Sequence, residues 1–201
     1  MLQLSQIVNS VYNSMMYILT EDETPDVWIV DCGDVDALVE CLSVLKGDNF
    51  TIRGTLLTHG HYDHMYGLPR LTALFPEQKV FTNTYGRELL ASERLNMSRF
   101  HEDPINYQSE HVVECVDGDT IDLFDDVRAK VHYTPGHCPS CLSYEIGDYL
   151  FTGDAYIPGV KVVTNLRGAD KQQAAKSVER ILKLAEGKTI MPGHQCVNQM
   201  I

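Results

Sequence analysis

The order of short strands and helices along this 201-residue chain predicts an α+β fold, in which two β-sheets pack together and helices cover their outer faces. Strand-like and helix-like segments alternate in the first half of the chain. Residues 111–151, in contrast, hold short β-rich segments separated by Asp-Gly, Asp-Asp and Gly-Asp turns, with no helix between them. A parallel, doubly wound sheet fits this second part poorly, because parallel neighbours need helical crossovers.

The first half begins with apolar segments rich in Val, Ile, Tyr and Met, which predict antiparallel strands near residues 4–8 and 12–19. A buried strand at 27–30 and a turn follow. Asp34 is expected to cap a helix that stops at Gly47, since apolar residues recur on one face between them. The remaining elements of this half are predicted to be a strand at 54–58, a short helix at 68–75, a strand at 79–82 and a helix capped by Thr84 that runs to about residue 95.

The second half is predicted to be an antiparallel sheet followed by one helix and a last strand. Its antiparallel strands are expected at residues 111–116, 120–124, 129–133, 142–146 and 149–151. Asp170 is placed to cap an amphipathic helix that stops at Gly187. The strand at 188–191 then leads to His194. No repeat or linker-like segment interrupts the chain, so we expect a single domain over residues 1–201.

Composition and charge exclude several classes of protein. Hydrophobic residues make up 44% of the chain and charged residues 22%, which is typical of a globular protein. Lys and Arg total 16 and Asp and Glu total 28, so the net charge is −12. Such an acidic surface disfavours binding to the phosphate backbone of a nucleic acid. The chain has no Lys/Arg-rich amphipathic segment and no run of 18 apolar residues, so we expect no membrane association.

The N-terminal segment and the cysteines indicate a cytoplasmic protein. Residues 1–10 contain no basic residue and no continuous apolar run, so they do not resemble a signal peptide. The six cysteines, at positions 32, 41, 115, 138, 141 and 196, are then expected to be free thiols in a reducing compartment. Cys138 and Cys141 form a C-x-x-C motif. We expect a turn with two thiols there, and hold reversible oxidation as the minority alternative.

Three histidines and one aspartate fall within six residues, directly after a predicted strand: His59, His61, Asp63 and His64. Imidazole and carboxylate groups are the usual ligands of zinc, iron and similar divalent metals. In an extended turn, His59 and His61 point in the same direction and can reach one metal ion. Asp63 and His64 can reach a second ion after the chain bends. Four such ligands in one turn have no evident structural purpose, so a metal site is favoured over a polar loop.

Three further segments each present one ligand-type side chain at the end of a strand, where loops gather into sites. They are Thr-Pro-Gly-His ending at His137, Phe-Thr-Gly-Asp ending at Asp154, and Met-Pro-Gly-His ending at His194. Each segment is a weak signal alone, because a single histidine or aspartate in a turn is common. Together with the first cluster they supply five histidines and two aspartates, which is enough for two metal ions.

These seven positions resemble, in order and without omission, the ligand set of the metallo-β-lactamase-fold superfamily of metallo-hydrolases, whose first motif is H-x-H-x-D-H. The resemblance implies a four-layer αββα sandwich with the metals between the upper edges of two mixed sheets. By family analogy, metal one is held by His59, His61, His137 and Asp154, and metal two by Asp63, His64, Asp154 and His194. The implied cofactors are two divalent ions, with Zn²⁺ expected and Fe or Mn as alternatives.

The activity that the resemblance implies is hydrolysis. Two divalent ions about 3.5–4 Å apart can share a hydroxide and lower the pKa of water to roughly 7. The bridging hydroxide would attack the substrate while Asp63 orients it and Asp154 bridges the ions, which makes these two aspartates the expected catalytic residues. We therefore expect a dinuclear metallo-hydrolase that acts on a small thioester, ester or lactone.

Within the superfamily, the ligand set and its spacing are most similar to those of glyoxalase II, the hydroxyacylglutathione hydrolase. Such enzymes commonly carry a helical C-terminal domain that helps to bind the glutathione thioester. Only seven residues follow His194 here, so glutathione specificity is left open. Lys161 and Arg167 are candidate contacts for an anionic group of the substrate, with solvated surface charge as the competing interpretation. Tyr156 is a candidate hydrogen-bond donor to an oxyanion.

Three other functions stay open from the sequence. A mononuclear iron persulfide dioxygenase would use a subset of the same ligands. A phosphodiesterase or nuclease of the same superfamily is disfavoured by the acidic charge and by the lack of a basic insert. A non-catalytic metal-binding or partner-binding domain is disfavoured by the complete ligand set. The expected partner is a small-molecule substrate, with no nucleic acid and no membrane, and a homodimer is left open.

Overall fold

The computed structural model describes residues 1–195, which form two β-sheets with helices on both outer faces. The strands are β1 (Gln3–Val8), β2 (Met15–Thr20), β3 (Asp26–Val30), β4 (Thr51–Leu56), β5 (Lys79–Thr82), β6 (Val112–Glu114), β7 (Thr120–Phe124), β8 (Val127–Tyr133), β9 (Leu142–Ile146), β10 (Tyr149–Gly153) and β11 (Thr189–Pro192). The helices are α1 (Val35–Lys46), α2 (Tyr62–Met65), α3 (Leu68–Leu74), α4 (Thr84–Leu90) and α5 (Lys171–Leu184), with a 3₁₀ turn at Ser98–Phe100.

Both sheets mix parallel and antiparallel pairs. The first sheet has the order β1-β2-β3-β4-β5-β6, with antiparallel pairs from β1 to β3 and parallel pairs from β3 to β6. The second has the order β11-β10-β9-β8-β7 and is antiparallel except between β10 and β11. The predicted α+β fold with two mixed sheets is therefore confirmed.

The side chains of β2 show how the layers stack. Ile18 packs in the apolar cluster that α1 and α3 cover, whereas its neighbour Leu19 packs in the cluster between the two sheets. All six residues of β2 are buried, because both faces of the strand are covered. On the far face of the second sheet, Leu150 of β10 packs with Ile181 of α5. The layers therefore follow the order helix, sheet, sheet, helix, as an αββα sandwich requires.

One strand lies in a different sheet from the one that the sequence predicts. Residues 111–116 are predicted to begin the antiparallel sheet, but β6 pairs in parallel with β5 at the edge of the first sheet, with Phe81 opposite Val113. The prediction is wrong because α4 and the segment that follows it form a crossover between β5 and β6, which is the connection that parallel neighbours need. The second sheet begins only at β7.

The first hairpin and the start of α1 also differ from expectation. β2 begins later than predicted, because Tyr12 and Asn13 form a turn with positive φ angles of 54° and 53°. Asp34 occupies the N-cap position of α1, as expected, but its carboxylate makes no cap hydrogen bond. It accepts hydrogen bonds from Ser10 and from the Tyr66 hydroxyl instead. These bonds hold the turn of the β1–β2 hairpin against the start of α1 and against Tyr66.

The helix α4 is capped and ended by side chains that the sequence pattern did not indicate. Asn83, rather than Thr84, is the N-cap residue, and its Oδ1 accepts a hydrogen bond from the Gly86 N–H at 2.8 Å. The helix stops at residue 90 instead of near 95. The Asn106 side chain accepts the Glu93 N–H at 2.9 Å and so takes a donor that a longer helix would use.

Among residues 1–195, no helix combines the length and the apolar character needed to cross a membrane. The longest, α5, has 14 residues.

Candidate metal centre

Four loops meet at the place where strands of both sheets end. They bring together all seven predicted ligand residues: His59, His61, Asp63, His64, His137, Asp154 and His194. Backbone hydrogen bonds join these loops. The Thr58 carbonyl accepts from the Leu142 N–H at 2.7 Å, and the Gly153 carbonyl accepts from the Gly193 N–H at 2.9 Å. Residues that are up to 135 positions apart in the sequence are thereby held beside one another.

The ligand atoms of these residues form three groups of three, and the atoms of each group lie within 4.8 Å of one another. The deep triad is His59, His61 and His137, and all three side chains are buried. The rim triad is Asp63, His64 and His194. The third group takes one histidine from each triad, His59 and His64, and adds Asp154. Each group could hold a metal ion, with Asp154 between the two triads.

Asp154 contacts both triads through its carboxylate. Its Oδ2 lies 3.6 Å from Nε2 of His137 in the deep triad and 3.4 Å from Nε2 of His194 in the rim triad. Its Oδ1 is buried and accepts no hydrogen bond, and the Nε2 atom of His64 lies 3.5 Å away. A buried carboxylate oxygen without a partner costs free energy. A cation at this position would remove that cost.

The ring nitrogens of the site also include atoms that no protein group in residues 1–195 pairs with in a usual hydrogen bond. Nε2 of His59 is buried without a hydrogen-bond partner. Nδ1 of His64 faces Asp31 at 2.9 Å, and Nδ1 of His194 faces the Tyr12 carbonyl at 3.0 Å. These partners turn Nδ1 of both rings away from the centre, so the two Nε2 atoms face each other 3.4 Å apart, where a cation that replaces their protons could bind both. The residues present fit a divalent cation bound between them.

Two further contacts orient ligand histidines through their Nδ1 atoms. Asp31 accepts hydrogen bonds from the N–H and the hydroxyl of Thr58, both at 2.7 Å, and is thereby held against His64. The Val163 carbonyl lies 3.1 Å from Nδ1 of His137. Such partners fix the orientation of a ligand ring and raise its basicity.

Asp31 contacts the ligand residue His64, but the sequence pattern indicates only a turn at Asp-Cys-Gly after β3 and does not mark it as part of the site. The signal that marked Asp154, an acidic residue directly after an apolar strand, could have found it. The carbonyl groups that orient His137 and His194 carry no such signal, since every residue type has one.

Burial and neighbouring charges set the protonation of the ligands. Burial, reinforced by neighbouring histidines, lowers the pKa of His61 to about 3. Burial also disfavours the charged form of His64, but Asp63 and Asp154 outweigh it and hold the pKa of His64 well above its ordinary range. Burial is likewise outweighed at His194, where hydrogen bonds to the same two carboxylates raise the pKa to about 10. The deep triad is thus neutral, whereas the rim triad favours a positive charge.

Glycine is required where the backbone passes closest to the ligands. A Cβ atom on Gly193 would lie 2.3 Å from Oδ1 of Asp154. Gly153 has a φ angle of +50°, and a Cβ atom there would lie 2.4 Å from the Thr58 hydroxyl. The Gly-Asp and Gly-His pairs of the sequence therefore place their ligands through close approach of the backbone.

The three candidate substrate contacts lie outside the triads. Tyr156 and Lys161 line a cavity of about 420 Å³ together with residues of α5 such as Val178. The described wall of this cavity includes none of the seven ligand residues and does not include Arg167. Arg167 is exposed. The contact of these three side chains with a substrate stays a prediction.

The C-x-x-C motif forms a turn beside the deep triad. Cys138 and Cys141 are buried free thiols, as predicted, and their Sγ atoms are 3.6 Å apart. Cys41 is a free thiol on α1 and is partly exposed. Cys196 lies outside the described residues.

Comparison with known proteins identifies the family. The sequence profile of the metallo-beta-lactamase superfamily matches residues 13–194, a range that includes all seven ligand positions. The chain belongs to this superfamily. Members of the superfamily are mostly metal-dependent hydrolases, and the His and Asp groups described above are able to bind metal.

Two curated relatives and one solved structure show how far the likeness extends. An uncharacterized protein of Mycobacterium leprae is 29% identical over an alignment 194 residues long. The alignment covers 89% of this chain and 84% of that protein. The hydroxyacylglutathione hydrolase of Aliivibrio fischeri (strain MJ11) is 32% identical over 127 residues, which are 63% of this chain and 41% of that enzyme. The crystal structure of the BLEG-1 B3 metallo-beta-lactamase superposes with a TM-score of 0.84 and 28% identity, covering 96% of this chain and 92% of that one. The predicted resemblance to glyoxalase II-like members of the superfamily is confirmed.

Proposed function

We propose that this protein is a dinuclear metal-dependent hydrolase that cleaves a small thioester, ester or lactone. The observation that carries the proposal is the position of Asp154, whose Oδ2 lies within 3.6 Å of ring nitrogens from both the deep and the rim triad. A carboxylate shared by two sets of ligands suits a pair of cations, because its negative charge offsets their mutual repulsion.

Two divalent cations at these triads would supply Lewis acidity and lower the pKa of water to roughly 7. The neutral imidazoles of the deep triad would hold a cation without adding charge, so Asp154 would supply the negative charge there. In the rim triad, the Asp63 carboxylate lies 3.2 Å from His194 and 3.4 Å from His64. Its side chain is 14% exposed, so it can accept a hydrogen bond from water at the mouth of the site and orient that water towards a substrate carbonyl.

The bond type is proposed from the relative with a named activity. The hydroxyacylglutathione hydrolase of Aliivibrio fischeri aligns with this chain over 127 residues, of which 32% are identical. Because the match covers only 41% of that enzyme, we propose the acyl bond as the shared feature and not glutathione as the thiol. We propose Zn²⁺ as the metal in both positions, with Fe or Mn as alternatives, because imidazole and carboxylate together suit all three.

A β-lactam is the second candidate substrate. BLEG-1, whose structure is described as a B3 metallo-beta-lactamase, aligns with 96% of this chain. A β-lactam is a strained cyclic amide and would place its carbonyl at the same site as a lactone.

A substrate panel tests the proposal. The protein is stripped of metal, reloaded separately with Zn²⁺, Fe²⁺ or Mn²⁺, and assayed with S-acyl glutathiones, shorter thioesters, aryl esters, lactones, a β-lactam and an activated phosphodiester. We expect hydrolysis of the thioesters, esters or lactones that disappears on chelation and returns with metal. Cleavage of the phosphodiester alone would contradict the proposal. Oxygen consumption by the iron-loaded protein with glutathione persulfide, without hydrolysis, would replace it with a dioxygenase.

A further inference from the structure

The C-x-x-C turn lies against the deep triad and has no part in the proposed hydrolysis. Cys138 directly follows His137, and its Sγ atom is 3.6 Å from that of Cys141. The sulfur atoms of a disulfide are about 2.05 Å apart, so the bond would require each Sγ to move by only about 0.8 Å. The two thiols are therefore close to the geometry of a disulfide before any oxidation.

Local bonds hold the two thiols in this position. The Cys141 N–H donates to the Cys138 carbonyl at 3.3 Å and closes the turn. The Pro139 carbonyl accepts a hydrogen bond from the Asn83 side chain at 3.4 Å, and the proline ring restricts φ at the centre of the turn. The pair is held together by its backbone, so little conformational entropy remains to be lost when the bond forms.

Ser140 connects this pair to the metal ligands. Its Oγ lies 2.9 Å from Sγ of Cys138 and accepts a hydrogen bond from the Gly60 N–H at 3.1 Å. Gly60 is the residue between the two ligand histidines of the H-x-H sequence. A movement of the Cys138 sulfur therefore reaches the deep triad by two routes, through the chain to His137 and through Ser140 to Gly60.

We propose that Cys138 and Cys141 form a reversible disulfide, made by a small peroxide, that weakens the binding of a metal ion to the deep triad. With hydrogen peroxide, one thiol attacks a peroxide oxygen, the O–O bond breaks, and a sulfenic acid and one water result. The second thiol attacks that sulfur, the S–S bond forms, and a second water leaves. The two sulfurs give two electrons to the peroxide, and two molecules of a small thiol, or one dithiol, return them by exchange and leave as a disulfide.

The metal-binding part of this inference rests on the proposed function, whereas the disulfide does not.

Burial restricts the oxidant to a small molecule. Cys138 and Cys141 are 0% and 1% exposed and pack with Leu89, Leu150 and Ile181 in the apolar layer below α5. Hydrogen peroxide is small enough to enter such a layer during local opening, and glutathione disulfide is not. Cys41 is partly exposed and provides an internal comparison in the same chain.

Mapping of the thiols after treatment with hydrogen peroxide tests the modification. Trypsin releases residues 131–161 as one peptide, which contains Cys138 and Cys141 and no other cysteine. We expect this peptide to become lighter by two hydrogen atoms and to resist alkylation, and dithiothreitol to reverse both changes. Two alkylatable thiols in this peptide, at a peroxide dose that oxidises Cys41, would overturn the proposal. A parallel sample treated with glutathione disulfide should leave this peptide unmodified, and a glutathione adduct on it would overturn the restriction to small oxidants.

Zinc affinity, measured with a chromogenic chelator, tests the coupling without an activity assay. We expect the oxidised protein to bind one of its two zinc ions at least about tenfold more weakly than the reduced protein. Cys41→Ser is the matched control and should show the same oxidation and the same loss of affinity. In Cys141→Ala, peroxide should change zinc affinity by less than about twofold.

The outcomes separate the two proposals. Unchanged zinc affinity in wild-type protein whose Cys138–Cys141 pair is fully oxidised would overturn the coupling alone. A protein that forms the disulfide but binds no zinc in either state would contradict the coupling and the proposal of zinc as the metal. Because the wild-type protein decides these points, a failure of Cys141→Ala to fold does not affect the test.

Discussion

The deep triad and the rim triad use similar ligands, but the chain holds them in different ways. All three side chains of the deep triad are buried. In the rim triad, the side chains of Asp63 and His194 are 14% and 22% exposed. The rim triad also depends on the β1–β2 hairpin, because the Tyr12 carbonyl faces His194 and the Ser14 hydroxyl donates to the Asp63 carbonyl at 2.7 Å. Burial therefore positions the deep triad and also His64, which Asp31 orients, whereas a hairpin at the edge positions Asp63 and His194.

This difference predicts how each half responds to the loss of a ligand. Water can replace a lost ligand where the site is open, whereas a buried site must first open to admit water. Substitutions in the deep triad should therefore have larger effects than matched substitutions in the rim triad.

His61→Ala is expected to have the largest effect. Only two nitrogens of the deep triad remain, so we expect the chain to lose one metal ion and its turnover to fall by at least about a thousandfold, equivalent to about 4 kcal/mol. Initial rates and metal content measure both changes. His111→Ala replaces a histidine outside the triads and should retain activity within about twofold. A His61→Ala rate above a tenth of the wild-type rate would contradict the role of the deep triad.

His194→Ala is expected to reduce turnover by a smaller factor, about ten- to a hundredfold, because water can occupy the position at the exposed edge. Excess zinc or added imidazole should restore part of the rate. Rates of His194→Ala and His61→Ala measured side by side test the difference between the triads. Equal losses with no rescue would show that the two halves do not differ.

Asp31→Asn is expected to have the smallest effect on turnover. The substitution keeps the shape of the side chain that orients His64 but removes its charge, so metal affinity should fall about ten- to a hundredfold, with little loss of rate at saturating metal. Titration with zinc under competition from a chelator measures the affinity. Asp36→Asn, at an exposed carboxylate of α1, is the control and should not alter it. Wild-type affinity in Asp31→Asn would remove Asp31 from the site.

The parts of the fold and site that could be predicted are those whose signal is local. The H-x-H-x-D-H turn carries its ligands within six residues. Asp170 caps α5 as predicted, because its carboxylate accepts the N–H groups of Gln172 and Gln173, two and three residues later. Local chemistry of this kind is visible in a single sequence.

The parts that could not be predicted depend on contacts between distant segments. The sheet that contains β6 is decided by its pairing with β5, about thirty residues earlier. The role of Asp31 depends on Thr58 and His64, which are 27 and 33 residues away in the chain. The pairing of β6 leaves no pattern in the residues nearby, and the position of Asp31 directly after an apolar strand does not reveal which histidine it orients.

The number of divalent cations bound per chain tests the central claim most directly. The protein is reconstituted with zinc, desalted and analysed by inductively coupled plasma mass spectrometry. It should contain about two zinc ions per chain. Asp154→Asn should contain fewer than about one, because the carboxylate that contacts both triads has lost its charge. One zinc ion per chain in both proteins would contradict a centre of two cations that share Asp154.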